Sequence, residues 1–215
     1  ICKNIIQSIK EYITIPEKLE PHRAKNHFIR KRKLSLFQVI MYLLYTSKAS
    51  MFQNLSRILE DLGSLDFPNI SKQALSRARQ FITPALFKEL YYLSVDLFYK
   101  QLPSRKLWNG YHLFAIDGSK IELPNSKSNF EFFGEMFGYP DPMGLGSIVY
   151  DVLDDYIVHA SFQRYLASER SAALEHLHNL EDLNIYQNSV VIFDRGYYSE
   201  DMFRYCVEHQ HLCLM

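Results

Sequence analysis

Two short apolar runs each lead into an aspartate: Phe114-Ala115-Ile116-Asp117-Gly118-Ser119-Lys120 and Val190-Val191-Ile192-Phe193-Asp194-Arg195-Gly196-Tyr197-Tyr198. Strands with so few polar positions are buried on both faces, as in parallel sheets. A carboxylate at the end of such a strand lies at the rim of the sheet, where open α/β folds bind ligands. Two rims of this kind can offer two carboxylates to one ion. Taken singly, each aspartate also reads as an N-cap or turn residue, because Asp-Gly and Asp-Arg-Gly are common turn sequences.

The 215 residues are 47% hydrophobic and 14% aromatic, enough for one ordinary core or two small ones and too apolar for a long disordered tail. The longest apolar stretch of the first half, Val39 to Tyr45, is far too short to span a bilayer, and no leader-like segment precedes it. The expectation is a soluble cytoplasmic protein with no membrane contact. Ile1 at one end and the apolar run Leu212-Cys213-Leu214-Met215 at the other read as cut ends. Cys2, Cys206 and Cys213 are scattered, which suggests neither a disulfide framework nor a zinc knuckle. The net charge of zero hides two opposed halves: residues 1–106 hold 18 Lys+Arg against 8 Asp+Glu, and residues 107–215 hold 6 against 16. A basic half beside an acidic one suits a phosphate-contacting module joined to a domain whose carboxylates gather cations. The plainer alternative is helical surfaces that simply carry Lys and Arg.

From Ile5 to Lys100 apolar residues recur at helical spacing, as in Leu36, Val39, Ile40, Leu43 and Leu44, then Phe52, Leu55, Ile58, Leu59 and Leu62, ended by Gly63. Ser71 offers an N-cap for a helix to about Phe81. Thr83-Pro84 opens another, with a stripe of Leu86, Phe87, Leu90, Tyr91, Leu97 and Phe98. The period breaks near 101–108, so the expected domains are a helical one over 1–106 and an α/β one over 107–215. In the second, strands are expected at 111–117, about 147–152 and 156–162. A helix over 168–182, a buried strand at 189–193, a helix over 199–209 and a strand from 211 follow, with an irregular insert from Pro124 to Gly146. That order resembles a ribonuclease-H-like core.

In such an arrangement the first and fourth strands are neighbours, and Asp117 and Asp194 meet at one edge of the sheet. Paired hard oxygen ligands suit magnesium, with manganese as a substitute, since both ions keep waters and share substrate phosphate oxygens. Two such ions about 3.5–4 Å apart support in-line displacement at phosphorus.

The run Ala115-Ile116-Asp117-Gly118-Ser119-Lys120-Ile121-Glu122-Leu123-Pro124, the later Phe193-Asp194-Arg195-Gly196-Tyr197 and the upstream Ser71-Lys72-Gln73-Ala74-Leu75-Ser76-Arg77-Ala78-Arg79 resemble transposases of the insertion-sequence-four family. The resemblance implies a DDE enzyme in which Asp117 and Asp194 are the first two metal-binding acids, acting on transposon ends and target DNA, as a homodimer when intact. The family's third acid follows a β-rich insert, in a helix with the pattern Y-x-x-R-x-x-x-E, and this sequence ends before either. Glu200 and Glu208 do not inherit that role. The expectation is a C-terminally truncated catalytic domain, inactive or nearly so alone, with a non-catalytic DNA-binding remnant as the alternative.

Arg30-Lys31-Arg32-Lys33 is the densest basic run, and Lys72, Arg77 and Arg79 share one helix; both groups suit double-stranded DNA. Arg195 is read equally as a phosphate contact or as an anchor of its turn. His176-x-His178 points its rings apart, and His209-x-His211 is expected at the surface. Gly144-x-Gly146 lacks the setting of a nucleotide loop.

Overall fold

The computed structural model describes residues 1–29, 33–47, 49–61, 68, 70–183 and 185–215. They divide into two compact units, Ile1–Leu102 and Pro103–Met215.

Among the described residues the first unit contains helices α1 (Cys2–Thr14), α2 (Pro16–Leu19), α3 (Leu36–Tyr45), α4 (Met51–Asp61), α5 (Lys72–Arg79) and α6 (Pro84–Gln101). Side chains satisfy bare N–H groups at the start of α3, α4 and α5. Ser35 and Gln38 form a reciprocal capping box on α3, with Gln38 N–H donating to Ser35 Oγ at 3.2 Å and Ser35 N–H donating to Gln38 Oε1 at 2.8 Å. Ser71 Oγ accepts from Ala74 N–H at 3.2 Å and so caps α5 as expected. Thr83 makes no such bond, and α6 opens on Pro84, whose ring presets the helical φ. Ile13, Ile40, Ile58, Leu75, Leu86 and Leu90 meet in one core. In α6 the buried stripe takes in Val95 while Leu97 stays half-buried. Leu62 and Gly63, expected to end α4, lie outside the described residues. No helix among those described is long and apolar enough to cross a membrane.

The second unit is a mixed five-stranded sheet carrying helices. Its strands are β1 (His112–Glu122), β2 (Met143–Asp151), β3 (Tyr156–Arg164), β4 (Ser189–Phe193) and β5 (Leu212–Leu214), in the order β3-β2-β1-β4-β5. The first three pair antiparallel, and β4 joins β1 and β5 in parallel. Parallel neighbours need crossovers, supplied here by α8 (Glu169–Asp182) before β4 and α9 (Glu200–Glu208) before β5. Ala172, Ala173, Leu177 and Leu180 of α8 are buried where the helix packs on β1, β2 and β3.

Three expectations need correction. β1 runs past 117 to Glu122, because Gly118–Glu122 find ladder partners in Met143–Ser147 of β2. The segment 124–146 is therefore only partly irregular: it holds α7 (Lys127–Phe133) and the start of β2. There Gly144 has a packing role, since a Cβ on it would fall 2.4 Å from the Phe162 ring. His211 is buried, because β5 carries it against the last turn of α8, where its Nε2 lies 2.7 Å from Glu181 Oε1.

Two further contacts knit this unit. The free thiols of Cys206 and Cys213 meet at 2.8 Å between α9 and β5. At the C-terminal end of β2 the carboxylate of Asp151, 1% exposed, accepts from Arg105 Nη2 at 3.3 Å. Asp151 Oδ1 also accepts the N–H groups of Leu153 and Asp154, at 3.3 and 3.1 Å. The same guanidinium donates to the Ile185 carbonyl at 3.3 Å and lies over the Phe114 ring.

Candidate metal centre

The parallel ladder of β1 and β4 pairs Ile116 with Phe193, so one residue further along each chain stand Asp117 and Asp194. Neighbouring strands lie about 4.8 Å apart, and residues at one level of a parallel pair project to the same face. The two aspartates thus stand at neighbouring strand positions, and both are exposed. Their surroundings differ from a simple rim. β4 stops at Phe193 while β1 continues, which leaves a notch flanked by the open edge of β1.

The turn after β4 accounts for only part of Asp194. Its carbonyl accepts from Tyr197 N–H at 3.1 Å to close the short 3-10 turn Arg195–Tyr197, yet its side chain makes no cap bond there. Asp117 Oδ1 accepts from Gly118 N–H at 2.8 Å. Beneath it runs a buried polar chain. Ser147 Oγ donates to the Asp117 carbonyl at 3.1 Å, His176 Nε2 lies 2.9 Å from that hydroxyl, and His159 Nδ1 lies 2.6 Å from His176 Nδ1. Burial, and after it the neighbouring His159, push the pKa of His176 down to about 3, so its ring is neutral. Since Ser147 spends its proton on the carbonyl, His176 donates from Nε2, and its bare Nδ1 accepts from His159. The neighbouring His178 points elsewhere, to Tyr205 Oη at 2.9 Å.

Two further side chains, neither of them picked out from sequence, meet on the opposite face of β1. A Cβ built on Gly118 would lie 3.2 Å from Tyr197 Oη and 3.4 Å from Glu169 Cγ, so these two side chains converge on the bare glycine. Tyr197 is 2% exposed and its hydroxyl has no hydrogen-bond partner among the described residues. Burial raises its pKa to about 12, helped by the charges of Glu169, Asp117 and Asp194. The Ser147 hydroxyl pulls weakly the other way, but its own bonds already go to Asp117 and His176. Glu169, in the first turn of α8 behind the Ser168 cap, reads from sequence as an ordinary complement to the helix dipole. The packing of α8 on the sheet brings it over Gly118. Beside it a cleft of about 340 Å³ is lined by Lys120, Glu169, Arg170 and Gly196, with Arg170 Nη2 donating to the Gly196 carbonyl at 3.1 Å.

As they stand, no three His, Cys, Asp or Glu side chains among the described residues are gathered closely enough to hold an ion. By donor type the two exposed carboxylates are the hard oxygen ligands a divalent cation takes. Arg195 is exposed beside Asp194. In the helical unit Lys72, Arg77 and Arg79 are exposed on α5, and Lys33 and Arg77 line one concavity of about 790 Å³. Arg30, Lys31 and Arg32 lie outside the described residues. Glu200 is paired with Arg204 at 2.9 Å along α9.

No family model matches the chain, and no curated protein matches it. Among solved structures it is similar to a Mos1 transposase paired-end complex with left transposon end, at 10% identity, covering 89% of this chain and 61% of that one, with a TM-score of 0.35. It is also similar to a Mos1 mariner paired-end complex with Mn, at 12% identity, covering 100% of this chain and 66% of that one, again with a TM-score of 0.35. The chain thus spans less than two thirds of either neighbour. A superposition this loose fixes neither fold nor function.

Proposed function

We propose that this chain belongs to a DNA transposase of the DDE type, in which a helical unit grips duplex DNA and a ribonuclease-H-like unit cuts and joins its strands with a divalent ion. One observation supports the reading above the others: the β1–β4 ladder pairs Ile116 with Phe193, the residues immediately before Asp117 and Asp194. The strand order, three antiparallel strands joined at β1 to a parallel pair, supports the ribonuclease-H-like assignment. The motifs around both aspartates support the insertion-sequence-four likeness. Magnesium, or manganese in its place, would supply activation of an attacking oxygen and charge neutralisation at phosphorus. The chain's own part is to hold the ion with Asp117 and Asp194. Arg195 and the cleft cations Lys120 and Arg170 offer charge to the phosphates beside it.

The ion site is tested by titrating Mn2+ into the chain and following free Mn2+ by electron paramagnetic resonance. Asp117→Asn and Asp194→Asn are each expected to weaken binding by at least about 10-fold, since each removes one of two hard anionic donors. Equal binding by wild type and the double variant would overturn the reading.

For the helical unit, Lys72, Arg77 and Arg79 are proposed phosphate contacts, with Arg30, Lys31, Arg32 and Lys33 as a second group. Each lost phosphate contact lowers the slope of log K against log salt by about 1. The triple variant Lys72→Ala, Arg77→Ala, Arg79→Ala is therefore expected to bind duplex DNA more weakly with a slope smaller by about 3. An unchanged slope in a filter-binding titration would remove α5 from the interface.

A further inference from the structure

The free thiols of Cys206 and Cys213 owe their contact to two inward faces. On α9 the buried positions are Met202 and Cys206, four apart and therefore on one side of the helix. Side chains alternate along β5: Leu212 and Leu214 are exposed, while Cys213 between them faces α9 and its Sγ lies 2.8 Å from Cys206 Sγ. Cys206 is 3% exposed and Cys213 is half-buried, so the pair sits just under the surface.

We propose that Cys206 and Cys213 are an oxidation site for small hydroperoxides, at which they form a reversible intrachain disulfide that ties the edge strand β5 to α9. The site is independent of the proposed function. A disulfide holds its sulfurs about 2 Å apart, so these two have less than about 1 Å left to close. Cys213 S–H donates to Cys206 Sγ, and that bond holds the Cys206 thiol below the ordinary thiol range, against burial, which pulls it up. The same bond, and burial after it, push Cys213 up. Cys206 therefore gives up its proton first and attacks. Its thiolate takes one oxygen of hydrogen peroxide, the O–O bond breaks, and the departing hydroxide leaves as water with the proton Cys206 released, which makes Cys206 a sulfenic acid. Cys213 then attacks that sulfur and passes its own proton to the departing hydroxyl, which leaves as a second water. The sulfurs lose two electrons in all, and the peroxide oxygens take them up. A bulky disulfide oxidant is kept from Cys206 by its burial, whereas hydrogen peroxide is little larger than water.

The test uses the whole chain carrying Cys2→Ser, which keeps the exposed third thiol from joining two chains. The folded protein is treated with hydrogen peroxide, its remaining thiols are blocked with N-ethylmaleimide in denaturant, and the chain is cleaved after glutamate. Glu208 lies between the two cysteines, so cleavage parts them unless a disulfide holds them. The expected product is a linked pair of peptides, free of maleimide and two hydrogens lighter than the separate pair, which dithiothreitol returns to two blockable thiols. Adding Cys206→Ser or Cys213→Ser abolishes it. Fluorescence of Trp108, the single tryptophan, gives a second reading in urea. The oxidised chain is expected to unfold at a higher midpoint than the reduced one, because the link restricts the unfolded state and joins sulfurs already in contact in the folded state. Neither serine variant should show that rise. Unlinked peptides from a peroxide-treated chain that circular dichroism shows to be folded would overturn the proposal, and so would a linked form with a lower midpoint than the reduced chain.

Discussion

Replacing Arg105 with methionine is expected to destabilise the second unit by about 3–5 kcal/mol. The substitution keeps most of the aliphatic bulk over Phe114 and removes the guanidinium that faces Asp151. A carboxylate that is 1% exposed is then kept from water without its countercharge, the situation in which breaking a buried pair is most damaging. The sole tryptophan, Trp108, lies in this unit, so its fluorescence in a urea titration follows the unfolding of the unit that matters. With slopes of about 1–3 kcal/mol/M for small proteins, the midpoint should fall by at least about 1 M. Adding Asp151→Leu to Arg105→Met should recover much of the loss, since removing both partners leaves no stranded charge. A single variant within about 0.5 kcal/mol of wild type would mean that the ion pair contributes no more than a surface one.

The second large effect is a loss of stability in mild acid that traces to His176. In the folded chain its pKa lies near 3, and in the unfolded chain near the ordinary 6.5. The unfolded state therefore binds the proton first. The contribution of neutral His176 is complete above about pH 6.5 and is lost as pH falls from there toward 3. At about 1.4 kcal/mol per pH unit, the loss by pH 5 is about 2 kcal/mol. Trp108-monitored unfolding at pH 7 and pH 5 measures it, and His176→Leu should flatten the difference while lowering stability at pH 7. If the variant keeps the wild-type slope between those two pH values, another group is responsible.

The two predictions draw on features of unequal visibility in the sequence. Ser189–Phe193 is legible as a buried strand and Ser168 as a cap, because both follow from local pattern. The pairing of the two aspartates needs one further assumption, the order of the strands, and the Asp-Gly-Ser and Asp-Arg-Gly-Tyr motifs suggest it. The extension of β1 to Glu122 is not legible, because Gly118, Ser119 and Lys120 lack the apolar alternation of a strand and are held by their ladder with β2. Glu169, Tyr197 and the His159–His176 pair are further from reach. Each owes its environment to residues from 17 to about 80 positions away, brought together only in the folded unit. The basic residues show the limit in the other direction. Lys72, Arg77 and Arg79 are as exposed as the sequence suggests, and exposure alone is common to solvated faces and to DNA interfaces.

The bond from Ser147 ends on the carbonyl of Asp117 rather than on its carboxylate, while the carboxylate itself leans on the next N–H along the chain. Carbonyl and N–H belong to one rigid amide plane, so a hydroxyl in the core clamps a plate whose far edge steadies the acid. A proton gained by His176 would enter at Nδ1, against the His159 ring, and leave the Nε2–H bond to Ser147, and with it the plate under the acid, in place.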